Sequence, residues 1–166
     1  AVHDGSSPTG GGRHPLPTTQ RFAEVLERNG IEPSSYVVAY DDAGGAVAAR
    51  LWWMLRSIGH QRVAVLDGGY PAWVSAGQHV EADTPAVIKS TYEVPSHWSG
   101  VVTADEVVAA INSGRTVVDS RAEARYRGDT EPLDPRAGHV PGAFNLFHGG
   151  NLGEDGLHRP VAELRG

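Results

Sequence analysis

Apolar positions fall in short blocks separated by polar turns marked with Gly and Pro, and their spacing changes from block to block. Phe22, Val25 and Leu26 recur at helical spacing. They predict a helix that Thr18 or Thr19 caps, running to about residue 29 and ended by Gly30. Residues 36–40 form a β-rich run and predict a strand. A polar turn over residues 41–45 leads at once into a second helix, with Val47, Leu51, Met54, Leu55 and Ile58 on one stripe and Gly59 at its end. Residues 62–66 read as a buried strand and Asp67-Gly68-Gly69 as a turn. Pro71 suits the first position of a short helix that contains Trp73 and stops at Gly77.

Residues 78–100 carry no periodic pattern, and Asp83-Thr84-Pro85, Pro95 and Ser99-Gly100 mark an extended connector. Thr103-Ala104-Asp105-Glu106 is a capping box. It opens a helix with Val107, Val108 and Ile111 on one face and Gly114 at its close. Residues 116–119 predict another strand, 120–138 a charged irregular stretch, 138–143 a turn and 143–147 a short strand. Residues 157–166 read as the start of a helix, and residues 1–17 as a loop punctuated by Gly and Pro. Gly10-Gly11-Gly12 is not a phosphate loop, because no Gly-Lys-Ser/Thr follows it. Strands that are apolar throughout, alternating with helices, indicate an α/β fold with a parallel sheet flanked by helices.

Composition narrows the function classes. The 166 residues suffice for one domain or parts of two, and 40% are apolar. Asp and Glu outnumber Lys and Arg by 20 to 14, a formal charge of −6, which argues against nucleic acid as the partner. With no cysteine, the sequence holds no disulfide and no thiolate metal site. His3, His14, His60, His79, His97, His148 and His158 lack ligand spacing, so no metal and no cofactor are expected. The longest apolar run, residues 46–55, is interrupted by Arg50 and is far short of a membrane span. With no signal peptide recognisable, no membrane partner and a cytoplasmic location are expected. The first residue is Ala and the one Met is Met54, so the chain is expected to be processed, trimmed or part of a longer protein.

A strand, a tight turn and a helix N-terminus over residues 37–53 make an anion cradle, because free backbone N–H groups and the helix dipole point into the turn. Yet that turn carries Asp41 and Asp42. A carboxylate there suits helix capping rather than chemistry.

Two longer stretches carry a family resemblance. Residues 117–128, VVDSRAEARYRG, followed by residues 137–145, AGHVPGAFN, resemble the opening half of a rhodanese domain. Residues 37–77, with the turn, the Trp52-Trp53 pair and the Leu66-Asp67-Gly68-Gly69…Trp73 element, resemble the closing half. A closing half that precedes an opening half resembles the middle of a tandem two-domain thiosulfate or 3-mercaptopyruvate sulfurtransferase. The expected organisation is residues 1–77 as the closing part of a first, non-catalytic domain, 78–100 as linker, and 101–166 as the opening part of a second, catalytic-type domain. Arg13-His14-Pro15 and His158-Arg159-Pro160 look like one point in two repeats, with Pro15 and Pro160 145 residues apart.

The resemblance implies transfer of a sulfane sulfur from a small anionic donor, thiosulfate or 3-mercaptopyruvate, to cyanide or a thiol through a cysteine persulfide. Asp41 stands where an active turn of the family has its cysteine, and the second domain's cysteine is expected beyond residue 166. The chain alone is expected to be inactive. Arg125 is implied to bind the anionic group of the donor, for which a planar guanidinium is suited. Asp119 is implied to sit beneath the active-site turn, orienting loops or Arg121, with a purely structural ion pair as the alternative. Glu131 resembles an acidic residue of the same loop, and His139 is expected to hold its turn together rather than act as a base. A second arginine found in mercaptopyruvate-type relatives falls near Pro132 or Leu133 here, with Arg136 offset, a departure that leans toward thiosulfate. Trp52, Trp53 and Trp73 are expected in core or interface packing. The rival reading is a catalytically inactive rhodanese-like module that binds a partner or regulates. A third is a single permuted domain.

Overall fold

The computed structural model describes residues 14–165. The loop expected over residues 1–17 lies outside the described residues up to Arg13, and so does that part of the proposed repeat; residues 14–17 carry no helix or strand. In chain order the elements are α1 (Thr19–Arg28), β1 (Val37–Ala39), α2 (Ala46–Ser57), β2 (Val63–Val65), α3 (Gly69–Ser75), α4 (Ala104–Asn112), β3 (Val118–Asp119), α5 (Glu123–Arg127), β4 (Phe144–Asn145), a 3-10 turn (His148–Asn151) and α6 (Val161–Leu164). β1 and β2 pair in parallel, Val37 beside Val63 and Ala39 beside Val65. β3 and β4 pair in parallel, Val118 beside Phe144. The predicted α/β class with parallel strands is the one observed.

Helix ends follow local chemistry. Thr18 Oγ1 accepts the Arg21 N–H at the start of α1, and Gly30 takes φ +66° just past its end. Thr103 and Glu106 form the reciprocal capping box of α4. Other expectations need correction. Residues 120–138 are not wholly irregular, since α5 forms there; five residues are too few for periodicity to reveal. Pro71 occupies the third rather than the first position of α3, because Gly68 and Gly69 make the turn into the helix. The strand over 62–66 is only half-buried. Val47 and Val108, expected on apolar stripes, are 64% and 54% exposed.

The core is built where α1 crosses α2. Phe22, Leu26, Met54, Leu55, Ile58 and Tyr92 pack together, with Leu26 and Leu55 fully buried. Each such leucine contributes about 1.5–3 kcal/mol by leaving water. The connector contains no helix or strand from residue 78 to 100, as expected, and part of it lies as a strap against this core. Ser90 and Tyr92 donate their backbone N–H groups to the Glu27 carbonyl and carboxylate, and Trp98 donates Nε1–H to the Pro17 carbonyl. The Trp98 ring lies 6.1 Å from Trp53 and 5.4 Å from Phe22. Of the three tryptophans predicted to pack, Trp53 joins this core, while Trp52 and Trp73 stay more than a third exposed. Beyond residue 100, Ala143 is the one buried apolar side chain among the described residues.

Candidate functional site

The cradle between β1 and α2 is filled by its own anion. Asp41 Oδ1 accepts the N–H groups of Ala43 and Gly45 at 2.9 and 2.8 Å, and Oδ2 accepts those of Val47 and Ala48 at 2.8 Å each. Burial pushes the Asp41 carboxyl up, but the four N–H donors together outweigh it and hold the group below the usual carboxylate range. Capping therefore belongs to Asp41; Asp42 is exposed and makes no such bond among the described residues. The Asp41 carbonyl also accepts the Tyr70 N–H at 2.9 Å, so the same residue seats the start of α3. Gly69 permits this approach, because a Cβ there would collide with that carbonyl.

A second polar cluster gathers behind β3. Asp119 ends the strand and grips Arg121 through three contacts, Nε to Oδ1 and Oδ2 at 3.0 Å and Nη2 to Oδ2 at 2.6 Å. This guanidinium holds the Asp119 carboxyl below its ordinary range, and Asp119 in turn raises Arg121. Arg121 also donates to the Gly138 carbonyl at 2.7 Å and meets Glu131 Oε2 at 3.5 Å. Glu131, its side chain 5% exposed, receives Arg125 Nη2 at 2.8 Å and is held low mainly by that guanidinium. Arg125 Nη2 further donates to Asp134 Oδ2 at 2.9 Å. Asp119 and Arg125, singled out separately in the sequence, are thus two ends of one network joined through Arg121 and Glu131.

Neighbouring side chains fix the loops around this network. His139 Nδ1 lies 2.7 Å from the Tyr126 carbonyl, and its ring stacks on Tyr126 at 3.7 Å. The Tyr126 hydroxyl donates to the Ala143 carbonyl. Asn145 Nδ2 donates to the Asp119 and Arg121 carbonyls at 3.0 and 2.8 Å, pinning the turn after β3. Sequence reasoning missed Asn145 and Asp134. For Asp134 the available signal was its place three residues after Glu131, whose Oε1 accepts the N–H groups of Leu133 and Asp134 and folds the loop back.

The two parts of the chain meet at the Asp67 turn. Asp67 Oδ1 lies 2.8 Å from both the backbone N and Nδ1 of His158, and the His158 bonds lower the Asp67 carboxyl. Leu157 sits against Gly68 and Leu152 against Gly44, so residues 152–158 cover the turns on either side of Asp41's cradle. An apolar cavity of about 520 Å³ lies elsewhere, between Val38, Tyr40, Tyr70, Trp73 and Val80, and none of the Asp119–Arg125 cluster lines it. Among the described residues no group of three His, Asp or Glu side chains is placed to hold a metal ion, and no helix is long and apolar enough to cross a membrane.

Residues 1–76 match the rhodanese-like domain family. The chain is 39% identical over 155 residues to a probable 3-mercaptopyruvate sulfurtransferase of Pseudomonas aeruginosa, covering 92% of this chain and 55% of the relative. It is 41% identical over 152 residues to a putative thiosulfate sulfurtransferase of Mycobacterium tuberculosis, covering 89% and 52%. Among solved structures, 3-mercaptopyruvate sulfurtransferase from Leishmania major superposes with a TM-score of 0.82 at 30% identity, over 96% of this chain and 45% of that one. The chain spans about half the length of the curated relatives it matches.

Proposed function

From the chain's membership of the rhodanese-like family, we propose that it is the middle of a tandem sulfurtransferase. Residues 1–77 close a first, non-catalytic domain, 78–100 link, and 101–166 open the domain that binds the donor. The intact protein takes a sulfane sulfur from thiosulfate or 3-mercaptopyruvate and passes it to cyanide or a thiol. A cysteine thiolate outside this sequence attacks the sulfane sulfur. The new S–S bond makes a persulfide, and the donor's own bond to that sulfur breaks, its electron pair leaving with sulfite when thiosulfate is the donor. The acceptor then takes the terminal sulfur and the thiolate returns. Arg125 binds the donor's anionic group, and Asp119 is a positioning residue that sets Arg121 and the loop after β3.

The observation that carries this reading is Arg125 itself. Its guanidinium is partly exposed, lies just after the end of β3 and is oriented by the nearly buried Glu131. Truncating it removes a charge-assisted contact, so Arg125→Ala in the intact protein raises the donor KM about tenfold or more. Donor kinetics identical to wild type refute the role. The 166-residue chain alone transfers no sulfur.

One observation favours a second reading, a non-catalytic binding or regulatory module. Asp41's carboxylate occupies the cradle that a thiolate would need, and the sequence has no cysteine. Persulfide formation in the intact protein discriminates the two.

A further inference from the structure

We propose that the apolar cavity beside β1 and β2 is a binding site for a small methylated ammonium, a cation held by aromatic faces. Three aromatic side chains line this space of about 520 Å³, Tyr40 just after β1 and Tyr70 and Trp73 on α3, together with Val38 and Leu66. Its volume falls in the range that holds small organic ligands. The three rings are 59%, 42% and 40% exposed, so much of each remains open to a ligand. The Tyr40 and Tyr70 ring centroids lie 6.4 Å apart with planes 21° from parallel, so one cation can sit within about 6 Å of both. Trp73 donates Nε1–H to the His79 carbonyl at 2.9 Å, which fixes its ring against the connector.

The lining selects both the charge and the kind of cation. Among the described lining residues Glu81 is the one carboxylate and none is Lys or Arg, so a cation is attracted and an anion repelled. A primary ammonium carries three N–H donors and a tight hydration shell, and Val38, Leu66 and Val80 offer it no side-chain acceptor. A methylated ammonium has few donors or none to satisfy. Its methyl groups pack on apolar surface while the ring quadrupoles attract its charge, whereas a neutral group of the same shape gains only the burial.

Titration of the 166-residue chain with choline and with its uncharged isostere, in which a tert-butyl group replaces the trimethylammonium, tests this through amide NMR shifts at low ionic strength. Shifts are expected around Tyr40, Tyr70 and Trp73, with choline bound about three- to tenfold more tightly than the isostere. Tyr70→Leu, which keeps the lining apolar, is expected to weaken choline about three- to tenfold and to leave the isostere nearly unchanged. Glu81→Gln weakens choline by up to about fivefold, an effect that fades as salt is raised. The same spectra report whether each variant keeps its fold. An isostere that binds as tightly as choline, choline binding unchanged by Tyr70→Leu, or choline that shifts nothing around the cavity overturns the proposal. Choline that binds the 166-residue chain but not the intact protein containing it gives the cavity to a protein segment and overturns the proposal as well.

Discussion

Removing the Asp41 carboxylate tests whether the cradle between β1 and α2 is structural. Asp41→Ala leaves four N–H groups without the acceptor they now share. Hydrogen bonds to a charged group contribute about 1.5–3 kcal/mol each when truncation leaves the donor buried. Only Ala48 is buried; Ala43 and Val47 are exposed and Gly45 half-buried, so three of the four donors regain water. The expected loss is that of a strong helix cap with its dipole contribution, about 2 kcal/mol. Asp42→Ala, on an exposed side chain, costs under about 0.5 kcal/mol. Because folding lowers the Asp41 pKa, its contribution is complete above the ordinary carboxylate value and is lost as pH falls through the folded one. The gap between wild type and Asp41→Ala therefore narrows in acid, below about pH 4. Urea unfolding followed by tryptophan fluorescence across that range measures it. Equal costs for the two aspartates, or a gap undiminished at low pH, refute the reasoning.

Two further outcomes follow from the packing. Leu55→Ala, at a position with no solvent exposure between α1 and α2, is expected to cost about 2–5 kcal/mol in the same assay; a loss under 1 kcal/mol, on the order of a surface change, contradicts the assigned core. At the Asp67 turn, Asp67→Ala removes the acceptor of both His158 bonds, whereas His158→Ala removes only the ring. A stability measurement should therefore rank Asp67→Ala as the costlier change, with a coupling of at most about 1 kcal/mol that weakens in salt; the reverse order contradicts the contact.

Where the sequence was legible, local rules acted alone. Thr18, the Thr103–Glu106 capping box and the apolar stripe of α2 set helix limits that the structure repeats within one or two residues. The parallel strands were readable because they are short apolar runs between helices. Features fixed by distant contacts were not. Nothing periodic in residues 78–100 announces that Tyr92 and Trp98 pack on α1 and α2, because an extended strap needs no repeat to be held. The length of α5 hides it, and Val47 and Val108 lie off the buried faces because the elements around them leave those flanks open. At the candidate site, Asp119 and Arg125 could be singled out by resemblance, but their union through Arg121 and Glu131 depends on how the loop of residues 129–138 folds back. The division of labour between Asp41 and Asp42 was likewise invisible, since adjacent carboxylates look alike until the turn orients one of them inward.

The most direct test of the central claim is the intact mass of the full protein containing this chain, before and after brief treatment with thiosulfate, followed by peptide mapping. Membership of a tandem sulfurtransferase predicts a gain of one sulfur atom on a cysteine outside residues 1–166, with every peptide of this chain unchanged. A full protein that acquires no sulfur from thiosulfate or 3-mercaptopyruvate contradicts the claim and favours the binding module.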